Sequence, residues 1–296
     1  MNAFRELGQR LVAGAAWVVF RAVERAPLPL VTGFAQFAAA IAYAVWGRRR
    51  RTAIANLLAS GVAPDEAAAG RLAKESFRAF CLMIAESIVA RRRITADNWR
   101  EFVTLKLSPE AAALLADPRQ GIIAASAHLG NWEVAARAVS MLKPLVVVHR
   151  PFSNPHLEAV AHGRRQGENL RMLSRLEREP MRFLQALNRG EAVALMMDQH
   201  AAEQRVRVDF FGRPAWTTTS VAMLHLLTRA PLVAAFAIRV APLRYEVRVV
   251  GPVRFTRTGN REEDVRAITQ ALTAEIERVA REFPGQYMWG HRRWKE

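Results

Sequence analysis

The sequence contains a single cysteine, Cys81, and only four of its 43 basic residues are lysine. One cysteine excludes an intramolecular disulfide and favours a reducing compartment. Cys81 lies in an apolar stretch, FCLMIAESIV, and is interpreted as a core residue. Phosphate-binding loops, the GxSxG nucleophile elbow and regular metal-ligand spacings do not occur in the sequence either. We therefore predict a protein with no metal site and no bound cofactor.

Acidic residues are also scarce: 27 Asp and Glu oppose the 43 basic residues and leave a formal net charge of +16. Such an excess favours polyanionic partners, such as a phospholipid surface, a nucleic acid or an acidic carrier protein. Arginine, the main cation here, binds phosphate and carboxylate groups in a bidentate manner. A genome of high GC content would enrich arginine and alanine together and is the alternative explanation. The arginines are dispersed and match no recognised module, so we expect no nucleic acid partner.

The N-terminal part of the chain is poor in charge. Leu11–Phe20 is uncharged, and the uncharged span Ala26–Gly47 has 22 residues, enough to cross a hydrocarbon core of about 30 Å. A basic cluster, Arg48–Arg51, follows directly and suits anionic headgroups. Residues 1–50 are therefore predicted to be a helical, membrane-associated segment. Its alanine, proline and glycine content favours a hairpin in the inner leaflet over a crossing helix; a buried helix of a soluble protein is the alternative.

Beyond residue 50 the pattern predicts an α/β fold with a single sheet flanked by helices. Residues 51–120 are expected to form a helical segment whose last part, 96–120, is a connector. Residues 121–296 alternate between apolar strands and helices and are expected to form the core. The predicted strands are Ile122–Ala125, Leu145–Val148, Glu191–Met197, Leu232–Val240 and Tyr245–Val250. The predicted helices are Pro155–Leu170, Met181–Asn188, Thr217–Arg229 and Arg261–Phe283, with a loop at 210–214.

The most informative stretch is Gly121–Glu133, GIIAASAHLGNWE. Its apolar start predicts a buried strand, and the residues after it predict a helix. His128 and Glu133 are five apart, about 140° around an ideal helix, so they can meet only if His128 lies in the loop ahead of the helix. Gly130 would permit that bend. A histidine oriented by a carboxylate is a general base, so both are predicted to be catalytic, and a purely structural pair is the alternative. Asn131 is a candidate for substrate binding.

Two further groups of polar residues follow predicted strands, where open α/β sheets collect ligands. Arginines in the first group suit phosphates, although the solvated face of a helix would explain some of them equally well. In the second group, a carboxylate and an amide are expected either to order the histidine loop or to bind a substrate hydroxyl. His149 and His200 are interpreted as loop residues. The candidate substrate-binding residues of the two groups are Arg150, Asn154, Arg164, Arg165, Asp198 and Gln199.

Six motifs occur along the chain in the order HLGNWE, RPFSNP, the arginine pair at 164–165, MMDQ, FFGRPAWT and QYMWGHRRWK. Together they resemble the late lauroyl and myristoyl acyltransferases of lipid A biosynthesis, within the lysophospholipid acyltransferase superfamily. Mycobacterial phosphatidylinositol-mannoside acyltransferases are similar as well. The resemblance covers essentially the whole chain and implies a glycerolipid-acyltransferase-like fold. It also implies a location at the bacterial inner membrane, with the catalytic domain facing the cytoplasm.

The resemblance further implies a reaction. An acyl chain would pass from acyl carrier protein or acyl-CoA, as co-substrate, to a hydroxyl of a membrane glycolipid such as a lipid A precursor. His128 matches the family's catalytic histidine and Glu133 its partner acid, while Arg150 and Asn154 match the second motif and residues 198–199 a third.

The motifs predict a mechanism but leave other functions open. Glu133 would orient His128, and backbone N–H groups of residues 130–132 would stabilise the oxyanion. Arginines 150, 164 and 165 would hold acceptor phosphates. The alternatives are another lysolipid acyltransferase, a lipid hydrolase that uses water, and a non-catalytic basic protein that binds membranes.

Overall fold

The computed structural model describes residues 3–174 and 180–295, without the side chains of residues 3, 4, 164, 165 and 180. The helices are α1 (Ala3–Arg25), α2 (Leu28–Val45), α3 (Gly47–Ala59), α4 (Glu66–Arg93), α5 (Trp99–Phe102), α6 (Pro109–Ala116), α7 (Trp132–Ser140), α8 (Pro155–Arg165), α9 (Pro180–Asn188), α10 (Ser220–Thr228) and α11 (Arg261–Glu282). The strands are β1 (Val103–Leu107), β2 (Ile122–Ser126), β3 (Leu145–His149), β4 (Leu170–Ser174), β5 (Ala192–Met196), β6 (Arg205–Phe210), β7 (Arg213–Thr218), β8 (Leu232–Ala241) and β9 (Arg244–Val250).

A sheet of seven strands, in the order β1-β9-β8-β2-β5-β3-β4, forms the centre of the described structure. Its neighbours pair in parallel except β8 and β9, which are antiparallel. All five residues of the middle strand, β2, are buried. Ile123 and Ala125 pack into the core that contains α10 and α11, and Ile122 and Ala124 into the core that contains α7. The predicted α/β class, with one main sheet flanked by helices, is therefore confirmed.

The N-terminal helices α1 and α2 expose apolar side chains. α2 packs along α4 with one face, which comprises Val31, Thr32, Ala35, Ala39 and Ala42. On its other side the large apolar residues are 47–67% exposed, namely Leu30, Phe34, Phe37, Ile41 and Val45. Within the described ranges, α2 is the helix that is long and apolar enough to cross a membrane, and 22% of it is buried. The predicted helical N-terminus is thus present, with an apolar face that no part of the described structure covers.

The predicted connector at 96–120 is wrong in one respect, because it contains a strand. β1 pairs in parallel with β9, so the sheet begins before residue 121. β1 buries Val103 but exposes Thr104 and Lys106, as expected of a strand at the edge of a sheet. Its short, half-polar pattern differs from the continuous apolar runs that identify central parallel strands, and so gave a weak signal.

Two other segments also differ from the sequence-based expectation. The predicted helix Pro155–Leu170 ends at Arg165, and Leu170 begins β4. The expected loop at 210–214 is the tight turn of the antiparallel hairpin formed by β6 and β7. Phe211 and Gly212 form that turn with φ angles of 58° and 69°, the left-handed region that two-residue hairpin turns require. The remaining predicted strands and helices are present within one to three residues of their expected ends.

Candidate active site

His128 lies in the loop between β2 and α7, as predicted. The chain turns at Gly130, whose φ is +61°. A Cβ atom at this position would overlap the carbonyl oxygen of Ala237 in β8, so both the left-handed backbone and the close approach require glycine. The side chain of Asn131 then caps α7 by accepting a hydrogen bond from Val134 N at 3.1 Å.

The carboxylate bonded to the imidazole of His128 is that of Asp198, two residues beyond the end of β5. Its Oδ1 lies 2.8 Å from Nδ1 of His128, and its Oδ2 accepts from the backbone N–H of His128 at 2.9 Å. Two bonds from one carboxylate fix both the ring and the loop that carries it. The His128 side chain is 20% exposed and that of Asp198 only 2%. With Nδ1 bonded to Asp198, Nε2 is the ring nitrogen left to exchange a proton with a substrate.

The pairing shifts the pKa values of both groups. Burial lowers the pKa of His128, but the charge of Asp198 and the hydrogen bond to it raise this pKa by more, so that it lies above the ordinary value. Burial raises the pKa of Asp198, and the charge of His128 together with its hydrogen bonds brings it below the ordinary value. Asp198 is therefore ionised at neutral pH and stabilises a protonated His128.

The C-terminal segment, residues 284–295, lies against this pair. Sequence reasoning did not assign this role to it. Burial raises the pKa of the Tyr287 hydroxyl, and the charge of Asp198 raises it further. Arg293 is 2% exposed; it donates to Trp216 O at 2.6 Å and lowers the pKa of Asp198 by its charge. The motif QYMWGHRRWK carried this information in the sequence, but only as part of a resemblance.

The same segment and β8 together hold the backbone of the histidine loop. Gly130 N donates to Gln286 O at 3.0 Å, Asn131 N to Ala237 O at 2.8 Å, and Met288 N to His128 O at 3.0 Å. The expectation that N–H groups of residues 130–132 stabilise an oxyanion is therefore wrong for 130 and 131. Both groups already donate to carbonyl oxygens of neighbouring segments.

A buried polar network supports α7 from behind. Glu86 in α4 is fully buried and accepts from Nε of Arg239 at 3.0 Å and from Nη2 at 2.8 Å. The Tyr245 hydroxyl also donates to Glu86 and in turn accepts from Asn131 Nδ2 at 3.2 Å. Ser87 donates to Oδ1 of Asn131 at 3.0 Å. Asn131, predicted to bind substrate, is 1% exposed with its amide bonded inside the protein, so the structure gives it a supporting role.

Two more side chains lie against the imidazole. The Trp132 ring meets the His128 ring edge to face, with centroids 4.9 Å apart. The amide nitrogen of Gln199 lies 3.4 Å from both ring nitrogens of His128. Of the predicted residues at 198–199, the first thus orders the histidine loop and the second reaches the imidazole. Glu133 lies in the first turn of α7, where its charge acts on Arg137; its predicted role as the partner of His128 stays a prediction.

The second predicted group lies at the end of β3, separated from β2 by β5. Arg150 is exposed. Asn154 caps α8 by accepting from His156 N at 3.0 Å and Leu157 N at 3.2 Å, and its amide nitrogen donates to Gln9 O at 2.9 Å. Its amide is therefore occupied by the protein. The side chains of Arg164 and Arg165 lie outside the described part of the chain, so their predicted phosphate binding stays a prediction.

Comparison with known proteins decides the family. The sequence model of the bacterial lipid A biosynthesis acyltransferase family matches residues 4–296. The chain belongs to this family. It is 29% identical over 184 residues to a lipid A biosynthesis acyltransferase of Haemophilus influenzae, covering 60% of this chain and 56% of that protein. It is 28% identical over 208 residues to the lipid A biosynthesis lauroyltransferase of Escherichia coli, covering 69% of this chain and 64% of that protein.

A palmitoleoyltransferase of lipid A biosynthesis from Escherichia coli is also similar, with 24% identity over 178 residues, 60% of this chain and 56% of that protein. The chain thus matches less than two thirds of the length of these relatives. The two Escherichia coli relatives are named for different acyl groups, lauroyl and palmitoleoyl, so the similarity does not specify the acyl chain.

Proposed function

We propose that this protein transfers a fatty acyl chain from a thioester donor to a hydroxyl of a lipid A-type acceptor. The observation that carries the proposal is the pair of His128 and Asp198 at the strand ends of the sheet. The histidine is partly exposed, and the carboxylate is almost fully buried. A buried carboxylate on Nδ1 sets the tautomer in which Nε2 accepts a proton. Family membership adds the class of the reaction.

The reaction follows from this geometry. Nε2 of His128 takes the proton of the acceptor hydroxyl while its oxygen attacks the carbonyl carbon of the thioester. The tetrahedral intermediate collapses with cleavage of the carbon–sulfur bond, and the imidazolium returns the proton to the leaving thiolate. Asp198 stabilises the imidazolium in between. General-base assistance of this kind is worth about 10²–10⁴ in rate.

Gln199 is the proposed donor to the oxyanion. Its amide nitrogen is within 3.4 Å of both ring nitrogens of His128, close to the place where a reacting carbonyl must sit. The N–H groups of Gly130 and Asn131 are occupied. Removing one donor from an oxyanion site costs on the order of 10²–10³ in rate.

The other predicted residues act on the acceptor. We assign Arg150, with Arg164 and Arg165, to acceptor phosphates, because guanidinium groups bind phosphate in a bidentate manner. Glu133 is proposed to assist His128 from the first turn of α7. The donor is acyl carrier protein or acyl-CoA, and the net charge of +16 favours the acidic carrier protein.

The N-terminal helices are proposed to hold the enzyme on the cytoplasmic face of the inner membrane. α2 packs along α4, whose charged residues include Arg71, Lys74 and Arg78, so α2 cannot cross the hydrocarbon core in this arrangement. Instead its exposed apolar face would enter the interfacial region. The arginines at 48–51, in the first turn of α3, would meet anionic headgroups.

The proposal is tested by incubating purified enzyme in micelles with acyl carrier protein thioesters and a lipid A precursor, and weighing the lipids by mass spectrometry. We expect the acceptor to gain one acyl chain. We expect His128→Ala to lower the rate by about 10³-fold. His156→Gln changes a histidine of α8 that is one-third exposed and pairs with Glu6, and should leave the rate unchanged. Free fatty acid as the product would indicate a hydrolase. Normal transfer by a folded His128→Ala variant would exclude the mechanism.

A further inference from the structure

A second cluster of titratable side chains lies outside the active site, where β3 meets α8. His149 ends β3, and Glu158 and His162 are one turn apart on α8. Oε1 of Glu158 faces Nε2 of His149 at 3.7 Å and Nδ1 of His162 at 3.8 Å. The ligand atoms of the three residues all lie within 4.8 Å of one another.

These distances suit a metal ion better than direct bonding between the side chains. Both exceed the 2.7–3.2 Å of an ordinary hydrogen bond. In a tetrahedral zinc site, ligand atoms are about 3.3 Å apart, because the metal–ligand bonds are about 2.0–2.1 Å long. Contractions of about half an ångström would bring both glutamate–histidine distances to this value. The two histidine nitrogens, within 4.8 Å of each other, would have to approach by at most about 1.5 Å.

The surroundings orient two of the ligands. Phe152 N donates to Oε2 of Glu158 at 2.8 Å, which directs Oε1 towards the histidines. The side-chain amide of Gln166 contacts Nε2 of His162 and so restrains the ring with Nδ1 towards Glu158. Nδ1 of His149 is buried and has no hydrogen-bond partner among the described residues. The His149 ring is therefore not held by another polar group.

We propose that His149, Glu158 and His162 bind a divalent transition metal, with Zn²⁺ as the preferred ion. Two imidazoles and one carboxylate form a ligand set that zinc accepts, whereas Mg²⁺ and Ca²⁺ prefer oxygen ligands alone. The three side chains are 11%, 19% and 33% exposed, so solvent can supply a fourth ligand. A bound ion would join the end of β3 to α8 and hold the helix that carries Arg164 and Arg165.

The experiment uses full-length protein without a histidine tag, in detergent micelles. Zn²⁺ affinity is measured by competition with a chromophoric chelator, and Co²⁺ replaces it to report the ligand geometry by visible absorption. We expect one Zn²⁺ per chain, a tetrahedral Co²⁺ spectrum, and at least tenfold weaker binding in His149→Gln and His162→Gln. His156→Gln, on the same helix, should bind as the wild type does. Zn²⁺ should raise the melting temperature of the wild type and of His156→Gln, but not that of His149→Gln or His162→Gln.

Three results would overturn the proposal: equal affinity in His162→Gln and in the wild type, loss of binding in His128→Gln instead, or no binding to the wild type. His162 is one-third exposed, so its substitution is expected to fold, and circular dichroism without metal checks this. The His128→Gln comparison separates the proposed site from the active site. None of these readouts depends on acyl transfer.

Discussion

Two strand ends on the same edge of the sheet carry histidines, and they differ in how completely the protein satisfies them. At the end of β2, His128 is held through Nδ1 and through its backbone N–H by one buried carboxylate. At the end of β3, His149 has a buried nitrogen without a partner among the described residues, and its carboxylate neighbour is 3.7 Å away. The first site is arranged before any ligand arrives.

The difference follows from the number of segments that meet at each site. Segments from β5, β8, α4 and the C-terminus converge on the His128 loop, and the backbone N–H groups of Gly130 and Asn131 both donate hydrogen bonds. The cluster at β3 draws its three ligands from only one strand and one helix. A catalytic base needs a fixed orientation. At the looser cluster of β3, bonds to a metal ion would themselves supply order.

The largest change is expected at Asp198. Asp198→Asn keeps the size of the side chain but removes the charge that stabilises a protonated His128, and should lower kcat by about 10²–10⁴-fold. His128 acts as a base only when neutral, so activity falls as the pH drops below its raised pKa. In the variant burial alone remains, and the acidic limb of the pH–rate profile should move to lower pH. An acidic limb at the same pH in the variant would show that a group other than His128 determines its position.

The buried network of Glu86 behind the first site is expected to matter for stability. Glu86→Gln leaves the guanidinium of Arg239 without its buried carboxylate, and we expect a loss of about 3–5 kcal/mol in the free energy of unfolding. Glu75→Gln, at an exposed position of the same helix, is the matched control and should change stability little. Urea unfolding measures both. Equal stability of the two variants would mean that the network does not hold the loop.

The turn at Gly130 can be compared with another left-handed glycine. Gly130→Ala meets the backbone of Ala237 and should destabilise by about 3 kcal/mol, with activity lost in the folded fraction. Gly212 in the hairpin of β6 and β7 also has a positive φ, but an added Cβ would meet nothing within 4 Å. Gly212→Ala should cost only about 1 kcal/mol. Similar losses of stability in both variants would show that Gly130 is required for its positive φ angle alone and not for its close approach to Ala237.

The smallest effect on stability is expected at Arg150, which follows β3. Arg150→Gln removes an exposed charge, so the free energy of unfolding should stay within about 0.5 kcal/mol of the wild type. If Arg150 binds acceptor phosphates, the KM for the acceptor should rise severalfold while the KM for the donor stays constant. Arg266→Gln, an exposed arginine of α11, is the control. An equal rise in the KM values of donor and acceptor would show that Arg150 attracts both anionic substrates by its charge and does not bind the acceptor phosphates specifically.

Much of the fold could be predicted from the sequence because central strands and long helices leave a local pattern. The run Ile122–Ala125 predicted the middle strand, since both of its faces are buried. β1 was missed because an edge strand buries one side only. The hairpin at Phe211–Gly212 was missed because its two strands are also only partly buried and include polar residues. The position of His128 in a loop ahead of α7 followed from spacing alone.

The sequence by itself determined the α/β class, the apolar N-terminus and the histidine that the site is built on. Only the tertiary structure decided which groups meet that histidine. Asp198 is 70 positions away in the chain, and the C-terminal segment that closes the loop is still further. In the cluster of His149, Glu158 and His162, only the last two are related by a helical spacing, and the fold adds His149. Local patterns report which face of an element is buried, whereas the pairing of side chains depends on how strands from distant parts of the chain are ordered in the sheet.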